Sequence, residues 1–244
     1  MKALILAAGY ATRLYPLTRD FPKPLLKVGK KAIIDYIAEK IDKLDAVDEI
    51  IVITNDKFFP QFEKWAQALS SPKKIKVLND LTKSVDDRRG AIGDISFAID
   101  KEAIADDILV IAGDNLFDLD LGGFIRFAQN KKAFSIGIYD INDRDAAKKY
   151  GVVKVDKENK IIDFQEKPEA PESSLVATCL YYFPQEKLGL IREYLKAKGN
   201  QKDATGFYID WLSKRDSVYG FLFTGHWYDI GHHDFYNQAK KLFS

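Results

Sequence analysis

The stretch Leu6-Ala7-Ala8-Gly9-Tyr10-Ala11-Thr12-Arg13-Leu14 places small residues and one guanidinium directly after a short apolar run. Small side chains there let backbone N–H groups come close to a phosphate. Arg19, Lys23 and Lys27 follow, making a local basic cluster. Lys23 stands between Pro22 and Pro24, whose fixed φ and missing donors stiffen the backbone on both sides. These types in this order suit the approach of a phosphate, while Gly9 alone reads equally as a tight turn before a solvated basic loop. The loop has neither the GxxxxGK[ST] order nor GxGxxG, so it is not a P-loop or a dinucleotide fingerprint.

Acidic groups appear farther along. Asp114 follows the apolar run Ile108–Ala112, and Asp229 lies in Trp227-Tyr228-Asp229. A carboxylate at the end of a buried strand is costly without a cation partner. Two of them meeting over a phosphate would suit a hard cation such as Mg²⁺. Glu166-Lys167-Pro168 ends an apolar–polar alternation; its carboxylate can take paired hydrogen bonds from hydroxyls and its lysine can hold a phosphate. Taken singly, each Asp also reads as a turn or helix cap, and Glu166-Lys167 as a solvated edge. His226, His232 and His233 flank Asp229, but no matching Cys or HxxxH helix makes a zinc site. Cys179 is the single cysteine, lies in an apolar strand, and reads as a small buried hydrophobe.

The elements that must position these groups are readable from periodicity. Ala3–Ala7, Ile50–Ile53 and Ile108–Ala112 are continuously apolar, as strands buried on both faces are, and Lys74–Leu78 is a further short strand. Between them, Ile33, Ile34, Ile37, Ile41 and Leu44 recur at helical spacing, as do Phe58, Phe62, Trp65 and Leu69, with another helix through Ile95–Ile99. This alternation predicts an α/β fold: three layers, Rossmann-like, with a mostly parallel mixed sheet. After Asp114 the expected order is a helix near Leu121–Asn130 and a strand Phe134–Tyr139. A hairpin of Val152–Val155 and Ile161–Phe164 follows across the turn Asp156–Lys160, then a strand Val176–Tyr182. Helices at Glu186–Lys198 and Gly206–Lys214, a strand Val218–Phe223 and a last helix from about Asp234 complete the chain. A single domain over 1–244 is expected, in two functional halves near 1–115 and 116–244.

Composition narrows the class of partner. The 244 residues are 46% hydrophobic and 30% charged, which suits a globular protein with a sizeable core. Lys and Arg number 37 against 36 Asp and Glu, a net charge of +1, so nucleic acid is not an expected partner. The apolar runs are strand-length and no signal-peptide plan opens the chain, so neither a membrane partner nor export is expected, and a cytoplasmic location is the default. Oligomeric state is unreadable.

Seen together, LAAGxxTRL and PKPL resemble the signature of the sugar nucleotidyltransferases, the family of glucose-1-phosphate thymidylyl- and uridylyltransferases. The likeness continues through Asp35-Tyr36, Gly113-Asp114-Asn115, Tyr150-Gly151-Val152-Val153, Phe164-Gln165-Glu166-Lys167-Pro168 and Trp227-Tyr228-Asp229-Ile230-Gly231. The resemblance implies a nucleoside triphosphate and a sugar 1-phosphate as partners, dTTP or UTP with glucose 1-phosphate foremost, and Mg²⁺ as cofactor. It implies that Arg13 and Lys23 act on the triphosphate, with Ala8 and Gly9 at the nucleotide. Gly90, in Arg88-Arg89-Gly90-Ala91-Ile92-Gly93-Asp94, would face the base with Asn79 as a polar neighbour. Gly151, Glu166 and Lys167 would bind the sugar phosphate, and Asp114 and Asp229 the metal. Ala11 stands where the family usually has Gly, and Ile230 and His232 where it has small hydroxyl residues, which leaves nucleotide and sugar preference open. The chain ends soon after the second acidic segment, so no further catalytic domain is expected. Two other enzyme readings stay open: a cytidylyltransferase for another phosphorylated alcohol, and a glycosyltransferase using Asp118-Leu119-Asp120 for metal. A nucleotide-binding regulator is the non-enzymatic one.

Overall fold

A computed structural model describes residues 1–197, 199–231, 236–237 and 239–240. In chain order the strands are β1 Lys2–Leu6, β2 Lys27–Val28, β3 Lys31–Ala32, β4 Glu49–Thr54, β5 Lys74–Asn79, β6 Ile108–Ala112 and β7 Asn115–Phe117. There follow β8 Phe134–Asp140, β9 Gly151–Val155, β10 Ile161–Glu166, β11 Leu175–Phe183, β12 Val218–Leu222 and β13 Trp227–Asp229. The α-helices are α1 Ile33–Asp42, α2 Phe59–Ala68, α3 Ala91–Lys101, α4 Leu121–Lys131, α5 Arg144–Ala147, α6 Gly189–Lys196 and α7 Thr205–Ser213. The final helix expected from Asp234 begins outside the described residues, as do His232 and His233.

Strands β6, β1, β4 and β5 lie side by side and parallel, as the continuous apolar runs require. Their side chains alternate between two cores. Leu4, Ile51, Ile53 and Val110 face one layer, which contains Ile95 of α3, Ile191 of α6 and Ile209 of α7. Ala3, Ile5, Ile50, Val52 and Leu109 face the other, with Ile37 of α1, Phe62 of α2 and Phe124 of α4. Phe58 and Phe62 are fully buried there, so that aromatic stripe is core.

The second half joins this sheet through β11. The last residues of β11 run antiparallel to β6, its first residues touch β9, and its other edge pairs with β8, which carries β12. At the change of neighbour the register shifts, and Cys179 takes φ 55. The sheet therefore forks, and the hairpin of β9 and β10 splays from β6. The Asp156 carboxylate closes that hairpin by accepting from the amides of Glu158 and Lys160. Two small ladders lay outside the periodicity reading. One is β2 with β3; the other is β7 with β13, which sets Asp229 opposite Asn115. Strands of two and three residues carry too little pattern to be seen in a sequence.

The halves also meet at Gly90, which caps α3 at φ 75. A Cβ there would lie 2.4 Å from the Lys202 carbonyl oxygen. Beside it Arg88 donates two hydrogen bonds to Asp203, at 3.2 and 2.8 Å. Gly90→Ala should destabilise the fold by more than about 1 kcal/mol, since both the dihedral and the contact oppose a side chain. Gly189→Ala, at the start of α6 where a Cβ would meet nothing within 4 Å, should be neutral or stabilising by up to about 1 kcal/mol. Urea denaturation compares the two; equal effects would contradict this account of Gly90.

Candidate active site

The fork in the sheet opens a cleft of about 620 Å³ at the carboxyl ends of β1 and β6. Open α/β sheets commonly place ligands there. Its walls bring together Ala8, Gly9 and Arg13 from the first loop, Gly90 from the start of α3, and Asp114 and Asp229. Gly151, Glu166 and Lys167 face them from the hairpin. Residues far apart in sequence thus share one cavity.

The loop after β1 is fixed from below. The Ala7 amide donates to the Ile53 carbonyl, the Asn55 side-chain amide donates to the Ala8 carbonyl, and the Gly113 amide donates to the Leu6 carbonyl. A Cβ added at Gly9 would meet no protein atom within 4 Å, so the backbone there borders open space. Ala11 adopts φ 48, ψ 43, the left-handed conformation that explains a usual glycine at this place. The Thr18 hydroxyl, 2.7 Å from the Ala11 carbonyl oxygen, helps hold that turn.

Lys23 opens a 3-10 turn with Pro22 ahead of it and Pro24 inside it. Its ammonium lies 2.5 Å from Asp114 and donates to the Ile230 carbonyl at 2.9 Å. With side-chain exposure of only 13% it is not the freely solvated loop lysine that its setting in the sequence suggests. It borders a smaller pocket with Gly9, Ala11 and Asp114, adjoining the main cleft. Arg19 instead lies over the Tyr15 ring and Lys27 points to solvent from β2, so the basic cluster reduces here to Arg13 and Lys23.

Asp114 and Asp229 are brought together by the β7–β13 ladder, whose pairing continues in the Ile230 amide donating to the Asp114 carbonyl. Burial, then the charge of Asp114, pushes the Asp229 carboxyl up to about 6; Lys23, Arg13 and Lys167 pull it back. A carboxylate disfavoured by burial and by a neighbouring carboxylate is what a cation relieves. Among the described residues no three His, Cys, Asp or Glu side chains gather as a metal cage. A pair of carboxylates fits a hard cation that also takes phosphate and water oxygens, and does not fit a closed zinc site. His226 is engaged elsewhere, pairing with Asp118 at 2.9 Å. With Asp118 so held, Leu119 in the core and Asp120 near Arg126, the segment Asp118–Asp120 does not line the cleft.

On the opposite wall Glu166 is nearly enclosed, and burial raises its carboxyl while Lys167 lowers it. The glycines around it are required by its bulk. A Cβ on Gly206 would stand 1.9 Å from Glu166 Oε2, and one on Gly151 would stand 2.5 Å from the Phe164 ring. Lys167 is half exposed, with φ 49 and its amide donating to the Tyr150 carbonyl. Cys179 lines the cleft from the β11 bulge, and burial pushes its thiol up to about 12, away from nucleophile chemistry.

Asn79 departs from its expected place. Its amide donates to Asp56 at 2.7 Å and its oxygen accepts from the Leu81 amide, and the cleft wall is made by the next residue, Asp80. Sequence reasoning also missed Asp94, Tyr181 and Thr205, the last two joined hydroxyl to hydroxyl at 2.5 Å. An Asp in the first turn of a helix is ordinary, so nothing in the segment Arg88–Asp94 marks Asp94 as a wall of the cleft.

Burial, then the neighbouring charge of Asp80, pushes the Asp94 carboxyl from 3.8 up to about 8. Between those two values the folded chain holds a proton that the unfolded chain releases, so stability falls as pH rises through this window. Asp94→Asn removes the term. Urea denaturation at pH 5 and pH 8.5 should show a smaller loss of stability in the variant than in the parent; identical losses would mean that Asp94 ionises normally.

The family model described as nucleotidyl transferase matches residues 2–243. Over 233 residues the chain is 32% identical to the bifunctional protein GlmU of Methanocaldococcus jannaschii, an alignment covering 95% of this chain and 51% of that one. It is 29% identical over 201 residues to a UTP–glucose-1-phosphate uridylyltransferase of Synechocystis, covering 78% of this chain and 51% of the other. The chain thus spans about half the length of the curated relatives it matches. A crystal structure of a Bacillus anthracis protein, assigned as a glucose-1-phosphate thymidylyltransferase and bound to sucrose, superimposes with a TM-score of 0.81 at 25% identity. That match covers 100% of this chain and 95% of the other. The forked α/β sheet, the cleft at its carboxyl edge and the match over nearly every residue lead to one conclusion: the chain belongs to the nucleotidyl transferase family.

Proposed function

We propose that the chain joins a nucleoside triphosphate to a sugar 1-phosphate, releasing pyrophosphate and an NDP-sugar. The observation that carries this reading is the single cleft uniting the Gly9 loop and Arg13, the Asp114–Asp229 pair, and Glu166 with Lys167. A sugar-phosphate oxygen attacks the α-phosphorus and forms the new P–O bond. The bond from that phosphorus to the oxygen bridging the β-phosphate breaks in line, and pyrophosphate leaves with the electron pair. The attacking oxygen is already anionic at neutral pH, so no general base is required. Positioning and charge neutralisation supply the catalysis.

Each residue's part follows from its place. Arg13 steadies the departing pyrophosphate. Lys23 exchanges its contact with Asp114 for the α-phosphate, where charge builds up. Gly151 and Glu166 take the sugar hydroxyls and Lys167 takes the sugar phosphate. Asp114 and Asp229 would hold a divalent cation, Mg²⁺ foremost, which when bound neutralises phosphate charge. The relatives' names make UTP or dTTP with glucose 1-phosphate the reference pair.

A pyrophosphate-release screen of NTPs against sugar 1-phosphates, with Mg²⁺ and with chelator, tests the reaction. Release is expected for at least one pair and should vanish with chelator; silence across the screen would overturn the reading. In folded Lys23→Ala, kcat should fall by about a hundredfold or more, the scale for one preorganised charge donor. Lys167→Ala should raise KM for the sugar phosphate and leave NTP affinity by calorimetry unchanged. Equal damage to both substrates would place Lys167 on the wrong one.

A further inference from the structure

The transfer reaction makes no use of two acids at the base end of the cleft. Asp80, just beyond β5, is 1% exposed, and Asp94, in the first turn of α3, is 6% exposed. Both line the cavity beside Gly90 and Ala91. Asp80 is well supplied with donors: the Thr82 amide at 2.7 Å and the Thr82 hydroxyl at 2.7 and 2.9 Å. Asp94 is not. No donor of the described protein reaches its buried Oδ1, although buried carboxyl oxygens nearly always have partners.

The nearby cations do not supply one. Arg89 donates its Nε–H to the Asp80 carbonyl oxygen at 2.8 Å and lies over the Phe97 ring at 4.4 Å. Arg88 is held by Asp203. Near neutral pH Asp94 carries a proton, but that proton serves its hydrogen bond to Asp80. The pair therefore sets two carboxyl groups into that end of the cleft wall, with Asp94 Oδ1 left without a donor.

We infer that Asp94, positioned by Asp80, reads the nucleobase by accepting a hydrogen bond from an exocyclic amino group. This chain would then favour a cytosine, adenine or guanine nucleotide over UTP or dTTP. Uracil and thymine offer one N–H between two carbonyl oxygens, and an acidic wall repels both oxygens. An amino group turns donors to the same wall, as when a carboxylate accepts from cytosine N4. The inference rests on the proposed NTP-dependent reaction but replaces its reference base, and it uses residues outside the motifs that carry the family resemblance.

Calorimetric titration of the whole chain with CTP, ATP, GTP, UTP and dTTP tests this without requiring turnover. At least one amino-bearing nucleotide should bind about tenfold or more tighter than UTP and dTTP, the scale of one good base contact. Asp94→Leu should reduce that ratio to within about threefold. Asp94→Asn keeps the side-chain shape and one acceptor, and should fall between. Tighter binding of UTP or dTTP, or an unchanged ratio in folded Asp94→Leu, overturns the inference. The pyrophosphate screen separates the two ideas: amino-base selectivity without pyrophosphate release sinks the reaction alone, and release with UTP preferred sinks the base assignment alone.

Discussion

The placing of the Asp229 carboxyl beside Asp114 on one wall of the cleft is the constraint around which the rest of this structure is arranged. Burial first, and the charge of Asp114 second, lift the Asp229 carboxyl to about 6. Lys23 offsets part of that charge by reaching Asp114 at 2.5 Å, but one ammonium cannot serve both acids and an anionic substrate. The remaining imbalance is what a cation-bound triphosphate would resolve. Sites of chemistry commonly retain such unresolved charge, since residues chosen for folding alone would avoid it.

The fold supplies that arrangement through strand ends. Parallel β1 and β6 terminate together, so the Gly9 loop and Asp114 emerge at the same edge. The β7–β13 ladder then returns the chain to place Asp229 beside them. The bulge in β11 separates the hairpin of β9 and β10 from β6, and the gap so made is the cleft. Gly151 and Gly206 let Glu166 sit against backbone, which fixes the carboxylate on the wall facing the Gly9 loop. The groups proposed to bind phosphate and hydroxyls are thereby set on the ends of sheet strands.

Much of this was legible beforehand because strong local physics wrote it. Continuous apolar runs announced the parallel strands, and the order Gly9, Arg13 and proline-flanked Lys23 pointed to the loop that borders the cleft. What escaped notice depends on contacts distant in sequence. No local pattern says that Asp80 rather than Asn79 turns inward, since the two are consecutive polar residues at the end of the same strand. Nor does a first-turn aspartate reveal that another acid will be packed against it, as Asp94 finds with Asp80. Prolines and lysines are usually solvated, and the burial of Lys23 comes from Ile230 and Asp114, far along the chain.

The most direct measurement of the central claim is a crystal structure of this chain with a non-hydrolysable NTP and Mg²⁺. The account predicts a cation coordinated by the carboxylates of both Asp114 and Asp229 and touching the α-phosphate, with the Lys23 ammonium moved from Asp114 onto that phosphate. A bound triphosphate with both carboxylates beyond coordination distance of any cation, and Lys23 still paired to Asp114, would contradict it.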